Sequence, residues 1–381
     1  MIKTLFVFGT RPEAIKLAPV VRRLFEDARH FETRIAVTAQ HRDLLDQVLQ
    51  AFAIRADYDL DVMRPRQSLF QSTSRIIGAL ESVFETERPD CVLVQGDTTT
   101  AFCGALAGFY RGIPVAHVEA GLRTGDARQP FPEEMNRILV ARLSALHFAP
   151  TEAAAENLRR EGVDGSNILV TGNTAIDAVL EVRDALNAGR LQSQALPRLD
   201  PCKKLVLVTA HRRESFGEGF DRICRALRRL AERDDIEIVY PVHPNPHVRE
   251  SVQRHLEGAA NIQLIAPLDY VSFVALMCRA HILLTDSGGI QEEGPSLGKP
   301  VLVMRDKTER PEAVAAGTAK LVGTEEARIV SETAVLLDDA TEYARRSQVR
   351  NPYGDGHASE RIREALQSYF ATSVSSAGTV D

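Results

Sequence analysis

Cys91-Val92-Leu93-Val94-Gln95-Gly96-Asp97-Thr98-Thr99-Thr100-Ala101-Phe102-Cys103-Gly104-Ala105-Leu106-Ala107-Gly108-Phe109-Tyr110 is the stretch that decides the fold. Its first five residues are a short apolar run, which reads as a buried strand. Gly96-Asp97 then turns the chain, and residues 100–110 read as a helix. A second apolar strand follows at 114–118. Strands apolar throughout and joined by helices belong to parallel sheets covered on both faces.

The same rhythm continues in both directions. Further strands are expected at 3–8, 34–38, 146–149, 205–209, 236–241, 262–264, 282–285 and 300–304. Helices are expected at 12–27, 44–52, 71–84, 132–143, 219–233 and 290–297. The pattern breaks at 171–173 and again over 188–202, a polar, Pro-containing stretch. We therefore expect one domain over 1–171 and a second from Gly172 to about residue 354. Residues 372–381 are small and polar and are expected to be disordered. Arg11-Pro12-Glu13-Ala14 is echoed by Arg310-Pro311-Glu312-Ala313. The echo reads either as a trace of two similar halves or as chance.

Composition narrows the function. A chain of 381 residues exceeds a single core, which stops growing at roughly 250–300 residues. It is 44% hydrophobic and 26% charged, ordinary for a globular protein. Lys and Arg number 46 against 52 Asp and Glu, so the net charge of −6 recruits neither nucleic acid nor an anionic membrane. No apolar run has the ~18–20 residues of a membrane span, and the short apolar start reads as no signal peptide. Five cysteines without a Cys-x-x-Cys pair point to reduced thiols and a cytoplasmic protein.

In open parallel sheets, ligands bind beyond the carboxyl ends of the strands. The first domain places acids there: Asp97, Glu119 and, at a helix start, Glu133. The second places cations and a helix-opening Ser-Gly-Gly: His211, Arg212, Arg213, His243, Arg310 and Ser287-Gly288-Gly289. Such a turn lets backbone N–H groups face a phosphate, helped by the helix dipole. Acids with an anion site point to proton transfer on a phosphorylated substrate. Each feature has a plainer reading. Asp97 could cap the following helix, Glu133 and Glu134 could be first-turn charges, and Ser287–Gly289 could be only a tight turn. His211 with its arginines could be a solvated loop. His117, inside an apolar strand, reads as a core histidine. His243-x-x-x-His247 spans prolines and is no helical metal pair, and no metal site is expected. Glu292 and Glu293 read as helix-surface charge or as partners of a ribose diol. The absence of Gly-x-x-x-x-Gly-Lys-[Ser/Thr] disfavours a P-loop, and Gly217-x-Gly219 lacks the third glycine of a dinucleotide fingerprint.

Several motifs together closely resemble the bacterial non-hydrolysing UDP-N-acetylglucosamine 2-epimerases. They are Gly9-Thr10-Arg11-Pro12-Glu13-Ala14-Ile15-Lys16, Thr38-Ala39-Gln40-His41-Arg42, Gly96-Asp97-Thr98-Thr99-Thr100, His117-Val118-Glu119-Ala120-Gly121-Leu122-Arg123-Thr124, His211-Arg212-Arg213-Glu214-Ser215, Asp286-Ser287-Gly288-Gly289-Ile290-Gln291-Glu292-Glu293, Arg310-Pro311-Glu312-Ala313 and Asn351-Pro352-Tyr353-Gly354-Asp355-Gly356. The resemblance implies two Rossmann-like domains facing a cleft, as in GT-B glycosyltransferases. It also implies a last helix, at about 355–371, that crosses back to the first domain, and a homodimer. The implied reaction interconverts UDP-N-acetylglucosamine and UDP-N-acetylmannosamine with no cofactor, through UDP elimination to 2-acetamidoglucal, and supplies surface polysaccharides. Carried over by motif, the catalytic residues are Asp97, Glu119, Glu133 and His211. The substrate-binding residues are Arg11, Lys16, Asp97, Glu119, His211, Phe273, Ser287, Gly288, Gly289, Glu293 and Arg310. A second, activating nucleotide-sugar site would use Gln40, His41, Arg66, Gln67, Glu134, Arg212 and His243. Leu268 departs from the polar residue of some members. The competing readings are a hydrolysing epimerase, an epimerase of a modified UDP-sugar, a GT-B glycosyltransferase and a non-catalytic sensor. All three acids are present, which argues against the sensor.

Overall fold

A computed structural model describes residues 1–38, 42–62, 64, 67–194 and 196–377, with the side chains of 42–44 and 373–377 left aside. The chain forms two compact units, Met1–Ala178 with Gly354–Asp381, and Val179–Tyr353.

In the first unit seven strands form one sheet: β1 (Ile2–Phe8), β2 (Phe31–Val37), β3 (Tyr58–Asp59), β4 (Cys91–Gln95), β5 (Val115–Val118), β6 (Leu146–Ala149) and β7 (Ile168–Val170). Their order is β3-β2-β1-β4-β5-β6-β7, and all neighbouring pairs are parallel. Every residue of β4 is buried, so both sheet faces are covered. On one face Leu5, Val7, Val92 and Val94 pack with Ile76, Leu80, Ala101 and Ala105 from helices Leu69–Glu87 and Thr99–Tyr110.

The second unit holds β8 (Lys204–Thr209), β9 (Ile236–Pro241), β10 (Ile262–Ile265), β11 (Ile282–Thr285), β12 (Val301–Val303) and β13 (Ala319–Leu321), ordered β10-β9-β8-β11-β12-β13 and again all parallel. Its core joins Val206, Val208, Ile238, Tyr240 and Leu284 to Phe220, Ile223 and Leu227 of helix Glu218–Leu230.

Both sheets reverse their winding once, between β1 and β4 and between β8 and β11. Loops leaving the carboxyl ends of such a pair diverge and open a crevice, where ligands of open α/β sheets bind. Gly9 and Gly96 leave β1 and β4, and Ala210 and Asp286 leave β8 and β11. These positions correct the reading of the Arg-Pro-Glu-Ala echo as a trace of two halves. Arg11 follows the switch strand β1, whereas Arg310 follows β12, which lies beyond the switch pair β8 and β11. The counterpart of β1 is β8, which is followed by His211.

The closing helix Ala358–Ala377 belongs to the first unit. Arg363 reaches Asp27 at 3.0 Å, and the carboxylate of Asp177 receives Ser359 N at 2.8 Å and Ser359 Oγ at 2.6 Å. The helix continues to Ala377. Residues 378–381 lie outside the described residues. The passage between units falls inside helix Thr174–Asn187, a few residues beyond Gly172, because Asp177 in its first turn is bound to Ser359 of the first unit.

Candidate functional site

At the first switch point the helix Arg11–Glu26 starts with a reciprocal cap. Thr10 Oγ1 accepts from Glu13 N at 3.4 Å, and Glu13 Oε2 accepts from Gly9 N at 3.1 Å and Thr10 N at 2.7 Å. Glu13 is 1% exposed, and its other oxygen accepts from Thr98 Oγ1 at 2.6 Å. Burial pushes its carboxyl above the usual range despite the hydrogen bonds it receives. Thr98 in turn caps helix Thr99–Tyr110 through Ala101 N at 3.0 Å. One carboxylate thus joins the loops after β1 and β4. Asp97, expected as a possible cap, is relieved of that task by Thr98. Gly9 is required by space, since a Cβ there would sit 2.0 Å from Thr38 Oγ1.

The side chain of Asp97 pairs with Arg137, and Asn136 Nδ2 donates to the Asp97 carbonyl at 2.9 Å. Arg137 Nη1 lies 3.1 Å from Glu134 Oε2. Glu119 follows β5 with φ +64, a left-handed backbone uncommon for a side chain of its size. Lys16 pairs with Glu119 Oε2, and Gln95 Nε2 donates to the same oxygen at 3.0 Å. Lys16, expected as a substrate contact, therefore stands as the counter-ion of an expected acid. His117 is a core histidine as expected, 0% exposed, its Nε2 2.8 Å from the Gly96 carbonyl. Burial holds its pKa down at about 3. Glu133 is half-buried in the first turn of helix Glu133–Leu143, and Arg11 is half-buried at the start of its own helix.

The second switch point gathers cations around the start of helix Gly288–Ser296. Ser287 stands at the cap position with no side-chain cap bond. A Cβ built on Gly288 would lie 3.8 Å from the Arg310 guanidinium carbon and 3.9 Å from Arg212 Nη2. Two guanidinium groups and the positive end of a helix thus converge, the composition of an anion site. Glu292, 1% exposed, pairs with Arg310 and is no helix-surface charge. Asn351 Nδ2 donates to the Glu292 carbonyl at 2.7 Å and Ser296 Oγ at 2.6 Å. His211 stacks on His243, ring centres 5.1 Å apart, and Asp286 Oδ2 accepts from the amides of His211 and Arg212 at 2.6 and 2.7 Å. Glu293 and Phe273 are half-buried, Phe273 on helix Tyr270–Arg279.

A family whose model, described as UDP-N-acetylglucosamine 2-epimerase, matches residues 23–367. The UDP-N-acetylglucosamine 2-epimerase of Escherichia coli (strain K12) is 57% identical over 371 residues, 96% of this chain and 98% of that protein. This chain belongs to the UDP-N-acetylglucosamine 2-epimerase family. A crystal structure of UDP-GlcNAc 2-epimerase from Neisseria meningitidis bound to UDP-GlcNAc has a TM-score of 0.88 and 49% identity, covering 96% of this chain and all of that one. A glycosyltransferase of kitacinnamycin, 14% identical with a TM-score of 0.61, shares the fold alone.

Of the residues expected at an activating site, Gln40, His41 and Arg66 lie outside the described residues. Gln67 donates to the Val62 carbonyl at 3.1 Å and accepts from Arg64 N at 2.9 Å. Glu134, 1% exposed, accepts from Thr124 N at 3.0 Å and Gly125 N at 3.1 Å, so its carboxylate holds a loop. Sequence reasoning passed over Glu13, Gln95, Arg137 and Asp286 as functional residues. The buried acids could have been found as charges inside otherwise apolar surroundings. Gln95 and Arg137 carry no such mark.

Proposed function

We propose that this chain interconverts UDP-N-acetylglucosamine and UDP-N-acetylmannosamine without releasing free sugar. The carrying observation is the pairing of two of the three expected acids with fixed cations, Glu119 with Lys16 and Asp97 with Arg137. Each pairing fixes the position of a carboxylate that a proton-transfer step requires. The anion site of the second unit, with His211, Arg212, Arg310 and the Ser287–Gly289 turn, binds the diphosphate. The C2 hydrogen of the sugar is barely acidic. As the bond from the anomeric carbon to UDP breaks, the carbon gains positive character and its neighbour's hydrogen becomes removable. A carboxylate takes the proton from C2, the C–H pair forms the C1–C2 double bond, and UDP leaves with the C1–O pair. Glu119 or Asp97 is this base, and Glu133 protonates the opposite face before UDP re-adds to C1. Arg11, Lys16, Phe273 and Glu293 complete substrate binding. The protein acts as a cytoplasmic homodimer that supplies surface polysaccharide synthesis; among the described residues no helix is long and apolar enough to cross a membrane. A second nucleotide sugar activates it through Gln40, His41, Arg66, Gln67, Glu134, Arg212 and His243.

Incubation with UDP-N-acetylglucosamine in heavy water, followed by proton NMR without added cofactor, tests the reaction. UDP-N-acetylmannosamine deuterated at carbon 2 is expected. Free N-acetylmannosamine with UDP would move the chain to hydrolysing chemistry. No reaction would point to a modified UDP-sugar or a missing acceptor.

A further inference from the structure

Asp286 is the first residue beyond β11, and its side chain is 0% exposed. A carboxylate so far from water needs partners. Oδ2 has two, the backbone amides of His211 and Arg212. These bonds pull the loop after β8 across the end of β11 and fix the His211 backbone above the carboxylate. Oδ1 has no hydrogen-bond partner among the described residues. What faces it is His211 Nδ1, at 3.6 Å. One ring face of His211 is stacked on His243, and its Nδ1 faces the Asp286 carboxylate. The charged groups around it are Asp286 from β11, His243 from the loop after β9, and Arg212 on its own loop. Arg310 sits with Arg212 beside Gly288.

We propose that Asp286 is a positioning residue that fixes His211 as the Nδ1–H tautomer and stabilises its protonated form, so that Nε2–H donates to the diphosphate of UDP. The inference rests on the anion-site reading above. A neutral imidazole donates from one nitrogen and accepts at the other, and the partner of one nitrogen decides which. A buried carboxylate at Nδ1 selects the Nδ1–H form and pulls toward imidazolium, while burial, the larger effect, together with His243 and Arg212 holds the pKa of His211 below the ordinary histidine value until a diphosphate adds its charge. A 3.6 Å separation is long for a hydrogen bond, but such contacts shorten when ligand arrives. The arriving or departing diphosphate is the charge that makes a proton on Nε2 worthwhile. UDP binding is therefore linked to proton uptake by His211.

Ring-nitrogen NMR of the histidine-labelled protein reads the tautomer directly. Neutral His211 is expected to carry its proton on Nδ1; an Nε2–H tautomer would overturn the proposal, whatever substrate the enzyme takes. Asp286→Asn keeps an oxygen for the two amides and removes the charge. It should lower the proton affinity of His211 about tenfold or more, and weaken UDP binding more at pH 8 than at pH 6. In a His211→Gln background the same change should cost no further affinity. An unchanged His211 midpoint in folded Asp286→Asn, or an equal loss in the His211→Gln background, would sink it. If Asp286→Asn fails to fold, the tautomer of the unaltered protein still decides. A protein that shows the Nδ1–H tautomer but never binds UDP would refute the anion-site reading instead.

Discussion

Glu119 combines two costs at one residue. Its backbone sits at φ +64, and a non-glycine residue there is strained by about 1 kcal/mol or more. Its carboxylate is largely buried between Lys16 and Gln95. Glycine would relieve the first cost, yet the chain keeps an acid. Two substitutions separate the contributions. Glu119→Ala and Glu119→Gly both abolish the ion pair with Lys16, and both should abolish deuterium exchange at carbon 2. They should differ in stability, with the glycine variant about 1 kcal/mol more stable to denaturant than the alanine variant. This reverses the usual order of these two residues. Equal stability, or alanine ahead, would show that the left-handed backbone carries no strain. Milder changes test the chemistry alone: Glu119→Gln and Asp97→Asn keep shape and should slow exchange by about a hundredfold or more. Near-normal exchange in either would remove that acid from the role of base.

The acids are only as well placed as the elements and loops that hold them. Asp97 stands between β4 and a helix capped by Thr98, and Thr98 is bound to Glu13 from the helix after β1. Thr98→Val removes the cap and leaves Glu13 short of a partner. It should cost about 1–2 kcal/mol, and should lower kcat more than it raises KM, because Asp97 moves with the cap. A change in KM alone would mean that the tie serves binding only. The neighbouring strands β5 and β6 set a pH limit. His117 and His147 face each other in register and are both buried, which holds their pKa values at about 3 and about 4. Both folded values lie below the ordinary histidine value of about 6.5. Above that value neither state gains a proton and stability is whole. As pH falls below it, the unfolded chain takes protons that the folded chain refuses. Each histidine then removes roughly 1.4 kcal/mol per pH unit until its folded pKa is reached. Denaturant midpoints should therefore fall steeply between pH 6 and pH 4, less steeply in His147→Gln. A flat profile there would contradict the burial of the pair. The strand ends that carry these residues were legible in the sequence, since a short apolar run ending in Gly-Asp or His-Val-Glu marks its own boundary. What the acids touch was not, since Arg137 lies forty positions from Asp97 and only the sheet order brings them together.

At the scale of the molecule, the two sheets read directly from alternating apolar runs, because buried parallel strands leave little choice of residue. The short outer strands β3, β7 and β13 escaped that reading, being two or three residues long and partly exposed. Chain closure escaped the apolar pattern for a different reason. Its anchor is a buried aspartate, Asp177, which receives Ala358 N at 3.2 Å, Ser359 N at 2.8 Å and Ser359 Oγ at 2.6 Å. These are bonds to the start of the closing helix, so Asp177 serves as its cap from 181 residues away. Ile362 and Leu366, both fully buried, then seat the helix in the first unit, where it packs on Arg11–Glu26, the helix that carries Lys16. Cap and seat make one cooperative piece. Asp177→Ala leaves two buried amides and a hydroxyl unpaired and should cost about 2 kcal/mol or more. Asp177→Asn retains an acceptor and should cost less. Hydrogen exchange locates the damage: amides of Ala358–Ala377 and Arg11–Glu26 should lose protection together, while those of β8 and β11 keep theirs. Loss of protection spread evenly over both units would show that the closing helix stabilises the whole chain rather than the unit it returns to.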